Sequence, residues 1–190
     1  MRYLILILFL ALVAACGGGG GAVAPAPDAD FRALQDRVVA QGITDAAALP
    51  VTGAARYQGR VRLDLPLDGP VASYYGDLRL RVAFDGTGDP VTGQISDLRG
   101  QAGALAGALQ ISAGTLYRDA APARDYQFTA DLAGPLAQSG QSYDLTGRIA
   151  GDFHGHDAAA VAGVIYQGAI RQGDVVDLFD GHFAATRSGG

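Results

Sequence analysis

The sequence predicts an all-β protein: an eight-stranded antiparallel β-barrel preceded by a short N-terminal helix. Three observations predict this fold. Apolar and polar residues alternate with a period of two through most of the chain after residue 50. The alternating segments recur at short spacing and are separated by turns rich in Gly, Pro and Asp. No helical pattern after residue 50 is long enough to connect parallel strands, so neighbouring strands are expected to be antiparallel.

The first fifteen residues have the pattern of an export signal. Arg2 supplies a positive charge, and residues 4–13 form an uncharged apolar run. This run is too short to cross a bilayer as a helix, which requires about 20 apolar residues. We therefore predict that residues 1–15 are a signal peptide.

Cys16 is the only cysteine, which excludes an intrachain disulfide. The sequence Val13-Ala14-Ala15-Cys16 resembles the lipobox of bacterial lipoproteins, in which the cysteine carries a diacylglyceryl group and becomes the first residue after cleavage. The resemblance implies that acyl chains such as palmitate anchor the protein at Cys16. It also implies sorting to the outer membrane, because Gly17 rather than Asp follows the cysteine. The alternative is an ordinary signal peptide with a cysteine nearby by chance.

Residues 16–27 are predicted to be a tether. Five consecutive glycines have no side chains to pack, and the alternation of small residues with proline that follows favours an extended chain. This segment would hold a folded domain away from a membrane surface.

Residues 28–50 are predicted to be a helical segment. Asp28 or Asp30 is expected to cap the helix, and Gly42 to end it. Apolar residues recur at helical spacing at Phe31, Leu34 and Val38. The helix would serve either as an arm that binds a partner or as a lid that covers an open end or a face of the domain.

Residues 51–190 are predicted to form the barrel. Glycines inside the strands favour a curled barrel over a flat sandwich. Arg, Asp and Gln at outward positions argue against a membrane-spanning barrel. A barrel of eight strands is either filled by its own side chains or holds one small ligand. The predicted strands cover residues 55–65, 77–85, 91–98, 105–113, 126–132, 143–153, 161–170 and 179–186.

A sequence near the C-terminus resembles the signature of the transferrin-binding protein B β-barrel family. Its matching residues are Gly151, Phe153, Gly155, Ala158 and Gly163, and the resemblance extends over residues 53–187. It implies a single-barrel lipoprotein, exposed on the cell surface or facing the periplasm, that binds a host protein, a haem-carrying protein or haem itself. No ligand-binding residue is carried over, because the matching residues have structural roles.

Those structural roles follow from the residue types. Gly151 and Gly155 are expected to let the chain bend at a barrel rim. Asp157 is expected to cap a short helical turn, and Gly163 to allow close packing of the next strand. The motif therefore predicts a fold and not a ligand.

The chain contains 14 Arg, no Lys and 19 Asp, with a formal net charge of −5. No run of arginines appears in the sequence, which argues against binding to nucleic acid or to anionic membranes. No nucleophile–base pair or phosphate-binding motif is present, so we predict no enzymatic activity. A single barrel of this size is expected to be a monomer.

Three histidines and two tyrosines are the candidate ligand-binding residues. His154, His156 and His182 are expected to point outward, and they would form either a shallow metal or haem-iron site or three solvated side chains at the rim. Tyr74 and Tyr75 precede a predicted strand near a barrel mouth. They would either anchor a partner or cover the barrel end.

We therefore predict a lipid-anchored outer-membrane protein that binds a protein or a haem- or iron-related ligand. The alternatives are a lipocalin-like carrier of a small apolar molecule and a structural envelope lipoprotein without a ligand. An interior filled by Tyr, Phe and Leu would argue against the carrier. A continuous exposed aromatic patch would favour the binding protein.

Overall fold

The computed structural model describes residues 26–67, 69–85, 88–121 and 125–189. The predicted signal peptide, Cys16 and the tether up to residue 25 lie outside the described residues. The described chain contains one α-helix, α1 (Pro27–Val39), and two single-turn 3-10 helices at Ala46–Ala48 and His156–Ala158. Within this part of the chain, no helix is long and apolar enough to cross a membrane.

Ten β-strands follow α1, and two of them contain only two residues each. The eight long strands alternate between buried and exposed positions, as the sequence predicts. The strands are β1 (Ala54–Leu65), β2 (Ala72–Ala83), β3 (Val91–Gly100), β4 (Gly103–Ala104), β5 (Ala106–Gly107), β6 (Leu109–Leu116), β7 (Phe128–Gln138), β8 (Gln141–His154), β9 (Ala160–Gln172) and β10 (Val175–Arg187).

The eight long strands form one closed antiparallel sheet. Their order is β2-β1-β10-β9-β8-β7-β6-β3, and additional pairing between β2 and β3 closes the circle. β1 pairs with β10, so the barrel closes at a seam between its first and last strands. The predicted eight-stranded antiparallel barrel with an N-terminal helix is confirmed.

Aromatic and aliphatic side chains fill the interior of the barrel. The ring of Phe153 lies near the centre of this core. Its centroid is 5.3 Å from that of the Phe128 ring, 5.6 Å from Phe84 and 6.2 Å from Tyr57. Such tilted ring pairs stabilise a core beyond the area that they bury. The largest fully buried side chains are those of Tyr57, Tyr74, Tyr143, Phe84, Phe128, Phe153, Phe183, Leu63, Leu65, Leu78, Ile95 and Leu98.

The helix α1 packs against the outer wall of the barrel. Val38 is fully buried against three alanines on β9 and β10, which are Ala160, Ala162 and Ala184. Small residues at these outward positions let the helix approach the sheet. The expectation of an Asp cap is wrong, because Pro27 begins the helix and the residue before it makes no side-chain cap; Asp28 and Asp30 lie in the first turn.

The chain that follows α1 covers one end of the barrel. Ile43 forms an isolated bridge with His154, and the Thr44 amide donates to the Phe153 carbonyl at 2.8 Å. Leu49 then joins the hydrophobic core. We call this end, with residues 43–49 across it, the covered end.

Candidate functional site

The three histidines do not form one site. All three were expected to point outward into solvent; His154 occupies an outward position of β8 but is only 6% exposed. The chain at Gly42 and Ile43 lies over it, where α1 ends and the covered end begins. The period-two pattern did not reveal this, because it does not tell which outward position another segment covers.

His154 is buried without full hydrogen bonding. Its ring makes a hydrogen bond with the Gly42 backbone, while Nδ1 is buried and has no partner. Burial lowers the pKa of His154, and the bond to Gly42 opposes this shift in part. The folded state therefore favours the neutral form of the His154 imidazole, and this buried side chain is not accessible to a ligand from outside.

His156 and His182 are exposed but stand apart. His156 lies in the second 3-10 helix, just before Ala160, whose partner on β10 is Thr186. Thr186 is four positions after His182 on β10, a distance of about 13 Å along the strand. Among the described residues, no group of three His, Cys, Asp or Glu is placed to hold a metal ion. The histidines therefore do not fit a shared metal or haem-iron site.

The two tyrosines lie within β2 rather than before it, as its third and fourth residues, and their side chains point to opposite faces of the strand. Tyr74 points into the barrel and is buried, and its hydroxyl lies 3.3 Å from Oε1 of Gln138. Tyr75 points outward beneath α1, where its hydroxyl donates to Asp28 at 2.8 Å and its ring packs against Phe31. Both side chains are engaged within the protein.

The glycines of the signature have two different structural roles. Gly155 has a φ of +77°, and the chain turns there at the rim. Gly151 does not bend the chain; a β-carbon there would lie 2.8 Å from the rings of both Phe128 and Phe183. A β-carbon at Gly163 would overlap the backbone of the neighbouring strand β8 and lie 2.7 Å from the Phe183 ring. These two glycines make room for aromatic packing.

Asp157 does not cap a helical turn. The second 3-10 helix has Gly155 before it, makes no side-chain cap, and contains Asp157 at a φ of +54°. Ala158, also at positive φ, is fully buried, and its carbonyl accepts a hydrogen bond from the Tyr57 hydroxyl at 2.9 Å. This turn is therefore held from inside the barrel.

The surface feature that stands out is the hairpin between β9 and β10, residues 169–180. Its turn is at Gly173 and Asp174, and three apolar side chains next to it are exposed: Val175 by 58%, Val176 by 50% and Leu178 by 78%. Both faces of this strand segment are solvent-exposed, so the hairpin projects beyond the barrel rim. The sequence pattern did not predict this projection, because β10 was expected to begin only at residue 179.

One edge of the projecting hairpin is unpaired. Residues 175–179 of β10 pair with β9, whereas the ladder with β1 ends at Asp180 opposite Asp64. Among the described residues, no strand lies on the other side of residues 175–178. A signal for this edge existed in the sequence: Pro66 follows β1 and removes a backbone donor where the ladder would continue.

The hairpin is acidic. It carries three exposed carboxylates, Asp174, Asp177 and Asp180, and one basic residue, Arg171. Apolar side chains, a free strand edge and a negative charge therefore meet at one projection. Unpaired strand edges are sites where another chain adds a strand.

The fold defines a class: a filled eight-stranded antiparallel β-barrel, here with an acidic hairpin that projects beyond its rim. No family model matches the chain, and no curated protein matches it. Among solved structures, it is similar to the vaccine antigen transferrin-binding protein B of Haemophilus parasuis, as its double mutant Tyr-167-Ala and Trp-176-Ala, with 16% identity and a TM-score of 0.48. The match covers 78% of this chain and 28% of that protein, so this chain corresponds to a minor part of it.

Proposed function

We propose that this protein is a lipid-anchored binding module of the outer membrane that captures a protein partner at the β9–β10 hairpin. Cys16 would carry the lipid, and the Gly- and Pro-rich tether would connect it to the barrel. The single observation that carries the binding function is the exposed, unpaired edge of residues 175–178.

The filled interior supports an external site over a carrier of small molecules. The inward side chains of Tyr, Phe and Leu are packed against one another, and each is at most a few per cent exposed. A lipocalin-like carrier needs an enclosed cavity of several hundred Å³. Ligands would therefore bind to the outer surface of this barrel.

The chemistry of the hairpin indicates the kind of partner. An extended segment would add to the free edge of β10 through backbone hydrogen bonds, and its apolar side chains would contact Val176 and Leu178. Basic side chains in that segment would face Asp174 and Asp177. We expect a partner with an accessible, basic strand or extended peptide.

Lipid anchoring is tested by metabolic labelling with radioactive palmitate in the producing bacterium. The wild-type chain should incorporate the label and fractionate with the outer membrane, whereas Cys16→Ser should do neither. Incorporation of label into Cys16→Ser, or a soluble wild-type chain, would contradict the anchor.

The binding site is tested by photo-cross-linking in intact cells. A photoreactive residue at Leu178 should give a discrete adduct with one partner protein, whereas the same residue at the exposed Gln110 on β6, on the opposite side of the barrel, should not. Adducts at both positions, or at neither, would contradict a site at the hairpin.

A matched pair of substitutions tests the contact itself. With the photoreactive residue kept at position 178, Val176→Lys should abolish the adduct, because it places a charge in the apolar contact. Val51→Lys, at another exposed valine near the covered end, should leave the adduct unchanged. With the partner in hand, hydrogen exchange should slow at amides within residues 175–178, as strand addition requires.

A further inference from the structure

Three arginines from two neighbouring strands meet on the outer wall of the barrel. Arg56 on β1 is directly opposite Arg81 on β2, and Arg79 is two residues along β2, opposite Gln58. All three side chains are exposed. We call Arg56, Arg79 and Arg81 the arginine face. It is unexpected in a chain with a net charge of −5.

These arginines lack the ion pairs that other arginines make. Arg60 pairs with Asp77, Arg62 with Asp64, and Arg148 with Asp131. Within the described part of the chain, no carboxylate lies within ion-pair distance of the arginine face. Because like charges directly opposite across strands are destabilising, the free protein keeps an unfavourable arrangement that an anion would relieve.

The surroundings of the arginine face are polar. The adjoining groove, of about 260 Å³, is also lined by Gln58 and by Thr92 and Gln94 of β3. No apolar side chain points outward among these positions. A protein interface needs apolar or aromatic residues at its centre, so this face fits a hydrophilic anionic surface better than a protein.

The described chain begins on the same side of the barrel as the arginine face. Asp28, in the first turn of α1, accepts a hydrogen bond from Tyr75 of β2, and Tyr75 is paired with Arg62 of β1 and with Arg99 of β3. Ten residues separate Cys16 from Ala26, a chain that reaches at most about 35 Å. A lipid on Cys16 would therefore allow the wall of β1, β2 and β3 to reach the membrane.

We propose that the arginine face binds the phosphate groups of anionic lipid headgroups and so orients the barrel on the membrane surface. This inference rests on the proposed lipid anchor. Guanidinium groups bind phosphate oxygens in a bidentate manner, and each basic residue near an anionic surface adds to the attraction. The lack of an arginine run in the sequence argued against binding to anionic membranes. The cluster forms only when β1 pairs with β2.

The test uses the lipidated full chain in vesicles of phosphatidylcholine alone or mixed with phosphatidylglycerol. A nitroxide label is placed on a single introduced cysteine, Gln58→Cys, because the chain has no other cysteine than Cys16. In anionic vesicles, the label should collide several-fold less with a water-soluble nickel chelate than in neutral vesicles. The same label at Thr146→Cys, on β8 across the barrel, should stay water-exposed in both.

Two charge-matched variants decide the assignment. Arg79→Gln with Arg81→Gln should abolish the protection at Gln58, whereas Arg32→Gln with Arg37→Gln, on exposed positions of α1, should keep it. Equal accessibility of Gln58 in both vesicle types, or equal loss in both variants, would overturn the proposal. Release by inorganic phosphate, compared with chloride at matched ionic strength, would reassign the face to soluble phosphate and overturn it as well.

Failure of the anchor is distinguishable from failure of this inference. A chain without lipid would not float with neutral vesicles, which would refute the proposed anchor. Flotation with anionic vesicles would then judge the arginine face alone. Flotation with anionic vesicles should be retained in the wild type and reduced at least tenfold in Arg79→Gln with Arg81→Gln. Equal flotation of the two proteins would refute the role of the arginine face.

Discussion

The side chain of Gln127 joins the covered end to the barrel by donating a hydrogen bond to the Thr44 carbonyl at 2.7 Å. Its other amide atom, Oε1, accepts a bond from the Phe153 backbone at 2.7 Å. Gln127 is fully buried and lies just before β7. One polar side chain thus links a segment from before the barrel to β8, which is distant in sequence.

Gln127→Ala should lower the free energy of unfolding by about 3 kcal/mol, because it removes two buried hydrogen bonds and leaves their partners unsatisfied. Denaturant unfolding measures the loss. Hydrogen exchange should also accelerate at amides within residues 43–49. Gln110→Ala, at an exposed position on β6, serves as the control and should change stability little; an equal effect of the two substitutions would refute the link.

Tyr57→Phe should lower the free energy of unfolding by about 1 kcal/mol, because the buried Ala158 carbonyl loses its donor. Burial raises the pKa of the Tyr57 hydroxyl, so the donor keeps its proton. Thermal unfolding measures the effect. Tyr117→Phe removes an exposed hydroxyl and should be neutral. A Tyr57→Phe protein as stable as the wild type would show that the turn at Ala158 does not depend on this bond.

The folded protein should lose stability as the pH falls below about 6.5, the ordinary value for histidine. Burial lowers the pKa of His154, so the unfolded state binds more protons between 6.5 and the lower pKa of the folded state. The loss begins at the unfolded value and is complete once the pH is below the folded one. Denaturant unfolding at pH 7.5 and pH 5.5 measures the difference.

His154→Gln should flatten this pH dependence, since the substituted side chain does not titrate. His182→Gln, at an exposed position on the barrel wall, should retain the dependence of the wild type. If both variants behave like the wild type, His154 is not the group responsible.

Gly163→Ala should destabilise the barrel by more than about 2 kcal/mol, because the added methyl group overlaps the backbone of β8 and crowds Phe183. Gly147→Ala should be milder, since the nearest heavy atom to its new β-carbon is 3.3 Å away and a small shift relieves the contact. Calorimetric melting of both variants tests this. A larger loss at Gly147 would contradict the packing role assigned to Gly163.

Alternation predicted the barrel well because each long strand has one face in the core and one in water. The pattern at Tyr57, Val61 and Leu63 is that of a half-buried strand, and all three side chains are buried. Predicted boundaries were short at several strand ends, and in residues 175–178 both faces are exposed and the period disappears. The beginning of β10 at Val175 is the clearest case.

The surfaces were harder to predict because they depend on which strands become neighbours. His154 has the sequence context of a rim residue, yet a segment more than one hundred positions earlier in the chain covers it. Arg56 and Arg81 become a pair only through the register of β1 and β2. The unpaired edge of the hairpin likewise depends on where β1 stops. Single-sequence patterns carry no information on these contacts between distant segments.

The seam between β1 and β10 has a consequence for how the protein is made. Val61 and Phe183 are partners across it, so the first strand has no neighbour on that side until the last strand has been synthesised. Such long-range pairing slows folding, because the chain must close a large loop before the contacts between the two strands stabilise it. A nascent chain that lacks β10 would expose the unpaired backbone edge of β1, so the barrel is completed only when the last strand is in place.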